Sequence, residues 1–358
     1  MRLAIVGIRG IPNNYGGFET LTEYLVEHLA ADMDITVYCS SADMDSKLTI
    51  YKNAHLKYLP VTSHGAKGII YDSLSLLNAI YTYDRVLFLG FGGGFVMPLL
   101  TQRQKKKLIL NIGGLDWKRN KWSAFAQKII KKAEQLLIEN CGKIISDNVG
   151  IQEYIEATYQ KCSTLIAYGG DQAVYRDITP RALIDYPFLD KPYAFTVTRI
   201  QQDNNIDMIL DAFANCDCIP LVIVGNWNNS DYGKQTKVAN ENKKNVILLD
   251  AIYDREKLDI LRSNCTIYIH GHSAGGTNPS LAEAMYLGLP VFAYASGYNE
   301  KTTNNLAVYF NDAKELRAMV KAYQTYNIKQ IGENLQAFAH ENYVWKDIAE
   351  KYKQVILS

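Results

Sequence analysis

The chain has 358 residues, 48% of them hydrophobic and 21% charged, a balance that suits two folded domains and excludes extended disorder. A net charge of +1 provides no global field for nucleic acid, so any attraction to a polyanion has to be local. Arg9 interrupts the opening run too early for a signal peptide, and the apolar uncharged stretch 86–100 carries four glycines and Pro98, so it is too short and too broken to cross a membrane. Six cysteines without a CxxC pair predict reduced thiols and a cytoplasmic setting.

Short β-branched runs alternate with amphipathic segments from the N-terminus onward. Leu3–Val6, Ile35–Tyr38, Arg85–Leu89, Leu108–Asn111 and Lys143–Ser146 read as strands; Phe18–Ala31, Ile69–Ala79 and Ser123–Asn140 read as helices. That alternation predicts a parallel sheet covered on both faces. It restarts at Tyr193–Val197 and continues through Leu221–Val224, Val246–Leu248, Thr266–Ile269 and Val291–Ala293, which predicts a second α/β domain. Thr179–Pro192, with three prolines, reads as the linker, and Tyr343–Leu357 as one amphipathic helix.

Two loops follow strands at the places where doubly wound sheets receive ligands. The first runs from Gly7 to Thr20 and offers Arg9, Gly10, Tyr15, Gly16, Gly17, Phe18 and Glu19; its glycine spacing is not GxGxxG, which disfavours a dinucleotide. The second follows Ile269. Asn278 is a good helix N-cap with Pro279 at the first helical position, and Gly275, Gly276, Thr277 and Ser280 surround them. Amide groups and a helix dipole there favour a diphosphate, and Glu283, one turn inside, is placed to meet the ribose hydroxyls of the same nucleotide. His270 and His272 lack a third ligand at metal spacing, so no metal is expected; of the two, His272 is the one expected to face the cleft.

These loops, read with Gly114-Leu115-Asp116-Trp117-Lys118-Arg119, Lys121-Trp122, Ser146-Asp147-Asn148, Ala167-Tyr168-Gly169-Gly170-Asp171, Gly225-Asn226 and Glu283-Ala284-Met285, resemble glycosyltransferase family 4. Within it, the blocks look like the bacterial rhamnosyltransferase branch. The resemblance implies the GT-B fold: α/β, two facing Rossmann-like domains with parallel sheets, and a C-terminal helix crossing back to the N-domain. The implied domains are 1–178 with 343–358, which binds the acceptor, and 179–342, which binds the nucleotide sugar. Three departures stand out: Gly275 falls where relatives often carry a first glutamate, Asn204 replaces a lysine that partners Arg199, and Gly113 replaces a His or Asp that touches the transferred sugar.

The resemblance further implies metal-independent transfer with retention of configuration, without a cofactor, from a nucleotide sugar such as dTDP-L-rhamnose. Arg199, Gly225, Asn226, His272 and the Gly275–Ser280 loop with Glu283 would hold the donor. Arg9–Glu19 and Asp116, Trp117, Lys118 and Arg119 would receive a lipid-diphosphate-linked saccharide, with Asp147 and Tyr168 at the chemistry. Asp147 also suits a helix N-cap, and Tyr168 a packed hinge aromatic. Between 101 and 143 eleven basic residues face three acidic ones, with Trp117, Trp122 and Phe125 among them. This predicts peripheral docking of the patch 103–143 on the inner face of the cytoplasmic membrane. Competing readings are a transferase with a UDP- or GDP-sugar donor, a catalytically silent sugar-nucleotide-binding protein, and an oxidoreductase that the missing GxGxxG disfavours.

Overall fold

The computed structural model describes every residue except 13–15, 46, 120, 121 and 215, and of Ala66 the backbone alone. The chain separates into two compact units, Met1–Tyr168 with Trp345–Ser358, and Gly169–Val344. The boundary therefore lies ten residues earlier than the predicted end at 178. Thr179–Pro192 is not a linker but part of the second unit: the Thr179 hydroxyl accepts the Ala182 N–H at 3.1 Å and Pro180 opens the helix Pro180–Asp185. Two of the prolines that suggested a flexible joint sit at starting positions of helical turns, where a missing N–H costs nothing.

In the first unit the strands are β1 (Arg2–Val6), β2 (Asp34–Ser40), β3 (Ile50–Tyr51), β4 (Ala54–Leu59), β5 (Arg85–Leu89), β6 (Leu108–Ile112), β7 (Lys143–Ser146) and β8 (Thr164–Leu165). They form one sheet in the order β3-β4-β2-β1-β5-β6-β7-β8, parallel except for the β3–β4 pair. Leu3, Ile5, Leu87, Leu89, Ile109 and Ile145 are buried because helices cover both faces. The C-terminal helix Trp345–Leu357 belongs to this core. Trp345 stacks on Tyr24 with ring centroids 4.5 Å apart, and Lys143 Nζ donates to the Val355 carbonyl at 2.7 Å near its C-terminal end.

The second unit contains β9 (Ala194–Val197), β10 (Leu221–Val224), β11 (Val246–Leu249), β12 (Ile267–His270), β13 (Val291–Tyr294) and β14 (Val308–Phe310). Their order, β11-β10-β9-β12-β13-β14, is all parallel and reverses direction between β9 and β12. Phe213, Trp227, Phe292 and Phe310 fill its core. Cys216 and Cys218 lie side by side after the helix Ile206–Ala214, their Cα atoms 5.3 Å apart and within bridging range.

Candidate functional site

In the second unit, the loops after β9 and β12 flank the point where strand order reverses, the crevice that open α/β sheets offer to ligands. Arg199 leaves β9 with its side chain exposed. Asn204, which stands where a cation was expected, is buried instead: its Nδ2 donates to the Arg199 carbonyl at 2.7 Å. Its Oδ1 is thereby the group that accepts from His272 Nδ1, 2.8 Å away. The other ring nitrogen of His272 lies 3.3 Å from the Gly275 carbonyl, and Asn299 Nδ2 donates to the His272 carbonyl at 2.9 Å. His272, the histidine expected to face the cleft, is thus buried and braces the loop from within.

The glycines of this loop have specific tasks. Gly275 and Gly276 adopt φ of +88° and +78°, which side chains rarely tolerate. The Asn278 side chain caps the helix Pro279–Tyr286, taking the Ser280 N–H at 3.0 Å and its hydroxyl at 2.8 Å, with Pro279 in the first turn. Thr277 is buried between them. Gly225 follows β10, where a Cβ would stand 2.7 Å from the Thr198 carbonyl, and exposed Asn226 caps the next turn by accepting the Asn228 N–H. Glu283, expected to meet the ribose hydroxyls, is also held by the protein: one oxygen lies 2.7 Å from the Nη2 of buried Arg262, and the other accepts from Gln172 at 2.7 Å. Arg262, Gln172 and Asn299 were not singled out from sequence, since nothing in their local pattern marks them.

Burial controls the ionisation of His270, at the end of β12. Enclosure, followed by the neighbouring His272, pulls its pKa down to about 3. A neutral ring results.

In the first unit, the Gly7–Thr20 loop follows β1 at the equivalent reversal between β1 and β5. Arg9 donates its N–H to Glu19 Oε1 at 3.0 Å, and its guanidinium binds the Asp43 carbonyl. Gly10 has φ +143° and packs against Met44 and Cys39. Gly16 precedes the helix Gly17–Leu29, which carries Phe18 and buried Glu19 in its first turn; Tyr15 lies outside the described residues. At the ends of β6 and β7, Gly113, Phe18 and Asp147 converge. A Cβ on Gly113 would stand 3.0 Å from the Phe18 ring and 3.1 Å from the Asp147 carboxylate, so a larger residue there would displace one of them. Asp147 is buried and does not cap the next helix: Asn148 does, accepting the Gly150 N–H at 2.7 Å. Tyr168 is packed in the core, edge-on to Trp345 at 6.2 Å.

The turn Asp116–Lys118 is held by an Arg119–Asp116 ion pair at 3.0 Å. Lys131 lies 4.4 Å and Lys118 5.5 Å over the Trp117 ring. Behind them Glu134 is buried and receives the Tyr154 and Tyr159 hydroxyls at 2.6 and 2.8 Å; burial still raises its pKa. The basic patch divides on inspection. Lys107 donates to the carbonyls of Ile80 and Tyr83 at a helix end, Lys105 to Asn140, and Lys143 to Val355, so these cations have structural partners. Arg103, Lys106, Lys118, Lys128, Lys131 and Lys132 are exposed, and Lys121 lies outside the described residues. Lys128, Lys131 and Lys132 line an open groove of about 490 Å³. Phe125 is 75% exposed at the start of the same helix, Ala124–Asn140. Among the described residues no helix is long and apolar enough to cross a membrane, and no group of three His, Cys, Asp or Glu is arranged to hold a metal.

Residues 185–323 match the family Glycosyl transferases group 1, and residues 1–171 match Domain of unknown function (DUF1972). An uncharacterized glycosyltransferase of Methanocaldococcus jannaschii is 24% identical, over 95% of this chain and 94% of its own. Sucrose-phosphate synthase from Thermosynechococcus elongatus superposes with a TM-score of 0.83 at 19% identity, covering 99% of this chain and 98% of that one. The Anabaena protein HepE, in complex with UDP-glucose, gives 0.75 at 14% identity with 99% of each chain covered. The fold is that of the GT-B glycosyltransferases.

Proposed function

We propose that this glycosyltransferase of the group 1 type, with its DUF1972 domain at residues 1–171, moves L-rhamnose from dTDP-L-rhamnose onto a lipid-diphosphate-linked saccharide with retention of configuration. The observation that carries the donor half is the second unit's strand-reversal loop: positive-φ Gly275 and Gly276, a helix opened by Asn278 and Pro279, and a carboxylate one turn inside. Such a loop brings backbone amides and a positive helix end to a diphosphate, while Arg199 adds an exposed cation. These groups would stabilise charge developing on the departing diphosphate. The leaving phosphate can then take the acceptor proton, so the scheme needs neither a metal nor a protein base.

On the first unit, Arg9–Glu19 and Asp116–Arg119 would bind the acceptor. Asp147, buried against Gly113, would shape the reacting end, with Tyr168 supporting it from the core. The enzyme would work in the cytoplasm, held peripherally to the membrane by its exposed lysines. The UDP-glucose carried by HepE makes a UDP-sugar the second reading of the donor. A thermal-shift panel of dTDP-, UDP- and GDP-sugars, followed by transfer assays with the stabilising donor, tests the proposal, because a ligand of the native state raises its melting temperature. Stabilisation by dTDP-L-rhamnose without transfer would leave a silent sugar-nucleotide-binding protein.

A further inference from the structure

Glu283 is the carboxylate that the proposed donor site turns toward the nucleotide, and two residues from separate parts of the second unit hold it. Arg262, in the last turn of the helix Arg255–Ser263, lies 2.7 Å from one Glu283 oxygen and 3.6 Å from Asp259. Its side chain is 3% exposed, and its Nε has no hydrogen-bond partner among the described residues. Asp259 is itself fixed by the Val174 N–H at 3.2 Å. The second Glu283 oxygen accepts from Gln172. Gln172 reaches it because Gly170 lets the chain lie directly on the helix Pro279–Tyr286: a Cβ at Gly170 would run into the Ala282 carbonyl, and its N–H is anchored on the Tyr343 carbonyl at 2.8 Å.

Such an arrangement exceeds what packing requires. An isolated ion pair in the interior is no more stabilising than apolar residues of the same shape, so a buried guanidinium with two carboxylates and an unused Nε points to a role other than stability. We propose that Arg262 and Gln172 are positioning residues that hold Glu283 in one rotamer, with its remaining lone pairs aimed at the pentose hydroxyls of the donor nucleotide. The inference rests on the reading of Glu283 as the pentose contact and deepens it. The carboxylate so held accepts from the 3′-hydroxyl that ribose and deoxyribose share. The clamp also removes the rotamer freedom that an exposed glutamate would lose on binding. The same geometry gives the Gly169-Gly170-Asp171 block its task, placing Gln172 on the nucleotide helix.

The test compares binding of dTDP with 3′-deoxythymidine diphosphate, and of UDP with 3′-deoxyuridine diphosphate, by calorimetry on the full chain. The wild type should prefer the hydroxylated member of each pair about tenfold, the worth of one charge-assisted hydrogen bond. Arg262→Lys and Gln172→Ala should each reduce that preference at least threefold while leaving affinity for the deoxygenated partner unchanged. An equal loss for both members would assign Arg262 and Gln172 a merely structural part and overturn the proposal, as would an unchanged preference. Gln172→Ala keeps the test open if Arg262→Lys does not fold. Glu283→Gln separates the two levels: if it retains the wild-type preference, the pentose reading itself fails, whereas a preference lost in Glu283→Gln but kept in both clamp variants refutes only the clamp.

Discussion

Asn204 Oδ1 lies 2.8 Å from His272 Nδ1, both groups buried, and this side-chain bond joins the loop after β9 to the loop after β12 beside two further links, Asn205 Nδ2 to the Gly271 carbonyl at 2.8 Å and the Ser273 N–H and hydroxyl to the Asp203 carbonyl at 2.9 Å. Asn204→Ala would remove the acceptor of the imidazole N–H and the donor to the Arg199 carbonyl together. Leaving buried polar groups unsatisfied costs about 1–3 kcal/mol each. The variant is expected to melt several degrees lower and to bind donor nucleotide more weakly, since the loops lose the buried member of the bonds that brace them together. Unchanged melting in a calorimetric scan would show that the Asn205–Gly271 and Ser273–Asp203 bonds suffice to hold the loops.

Glu283→Ala should be damaging in two ways. From sequence, a ribose-binding glutamate predicts a loss confined to nucleotide affinity, about 1.5–3 kcal/mol for a charge-assisted hydrogen bond. The structure adds Arg262, whose buried charge would lose its nearest partner. Removing one member of a buried pair costs about 3–5 kcal/mol, lessened here because Glu283 is partly open to solvent. Denaturant titration beside calorimetry should therefore find lower stability as well as weaker binding.

His270 sets an acid limit on the second unit. Its folded pKa, held down to about 3 by burial, is below the ordinary value of about 6.5, so the unfolded chain binds the extra proton first. The stability this group contributes is complete above about pH 6.5 and is lost progressively as pH falls toward 3. His270→Phe keeps an aromatic ring beside Tyr268 and removes the titration. Its melting temperature should fall less than that of the wild type between pH 6.5 and 4, and parallel pH profiles for the two proteins would refute the assignment.

Both sheets were legible because parallel strands buried on two faces are written as unbroken apolar runs such as Arg85–Leu89 and Leu221–Val224. The strands that escaped are peripheral: Ala54–Leu59 alternates apolar residues with His55 and Lys57, and β3, β8 and β14 have two or three residues. Glycine and capping signals located the Gly275–Ser280 turn, since positive φ and N-caps are local requirements. Arg262 and Gln172, and the partner of Asn204, were opaque for the opposite reason. Their partners are remote in sequence, and only the closed fold brings a helix end onto Glu283 or an asparagine onto His272.

Asp147→Asn is expected to lower turnover far more than donor affinity. Its carboxylate lies against Gly113 at the end of a strand in the unit proposed to hold the acceptor, and helix capping is already supplied by Asn148. An interaction made chiefly in the transition state appears in kcat rather than in binding. Tyr168→Phe should act in the same sense. Wild-type transfer by both variants would move the chemistry elsewhere.

The proposed membrane contact can now be tested on cations that do not also hold the fold together. Reversing Lys107 would strip the Ile80 and Tyr83 carbonyls of their partner, so lost vesicle binding in that variant would be ambiguous. Lys106, Lys128 and Lys132 are exposed instead, and Lys128 and Lys132 share the helix that begins beside exposed Phe125. Each cation near an anionic surface contributes about 1 kcal/mol, and an aromatic ring can enter the headgroup layer beside it. The triple variant Lys106→Glu, Lys128→Glu, Lys132→Glu should therefore keep its melting temperature and lose co-sedimentation with vesicles containing phosphatidylglycerol. Phe125→Ala should weaken binding by a smaller, less salt-sensitive increment, because ring insertion is hydrophobic. For the wild type, raising the salt should release the protein as screening shortens the reach of the lysines. Binding that ignores salt, or that survives charge reversal at all three positions, would assign membrane contact to another face.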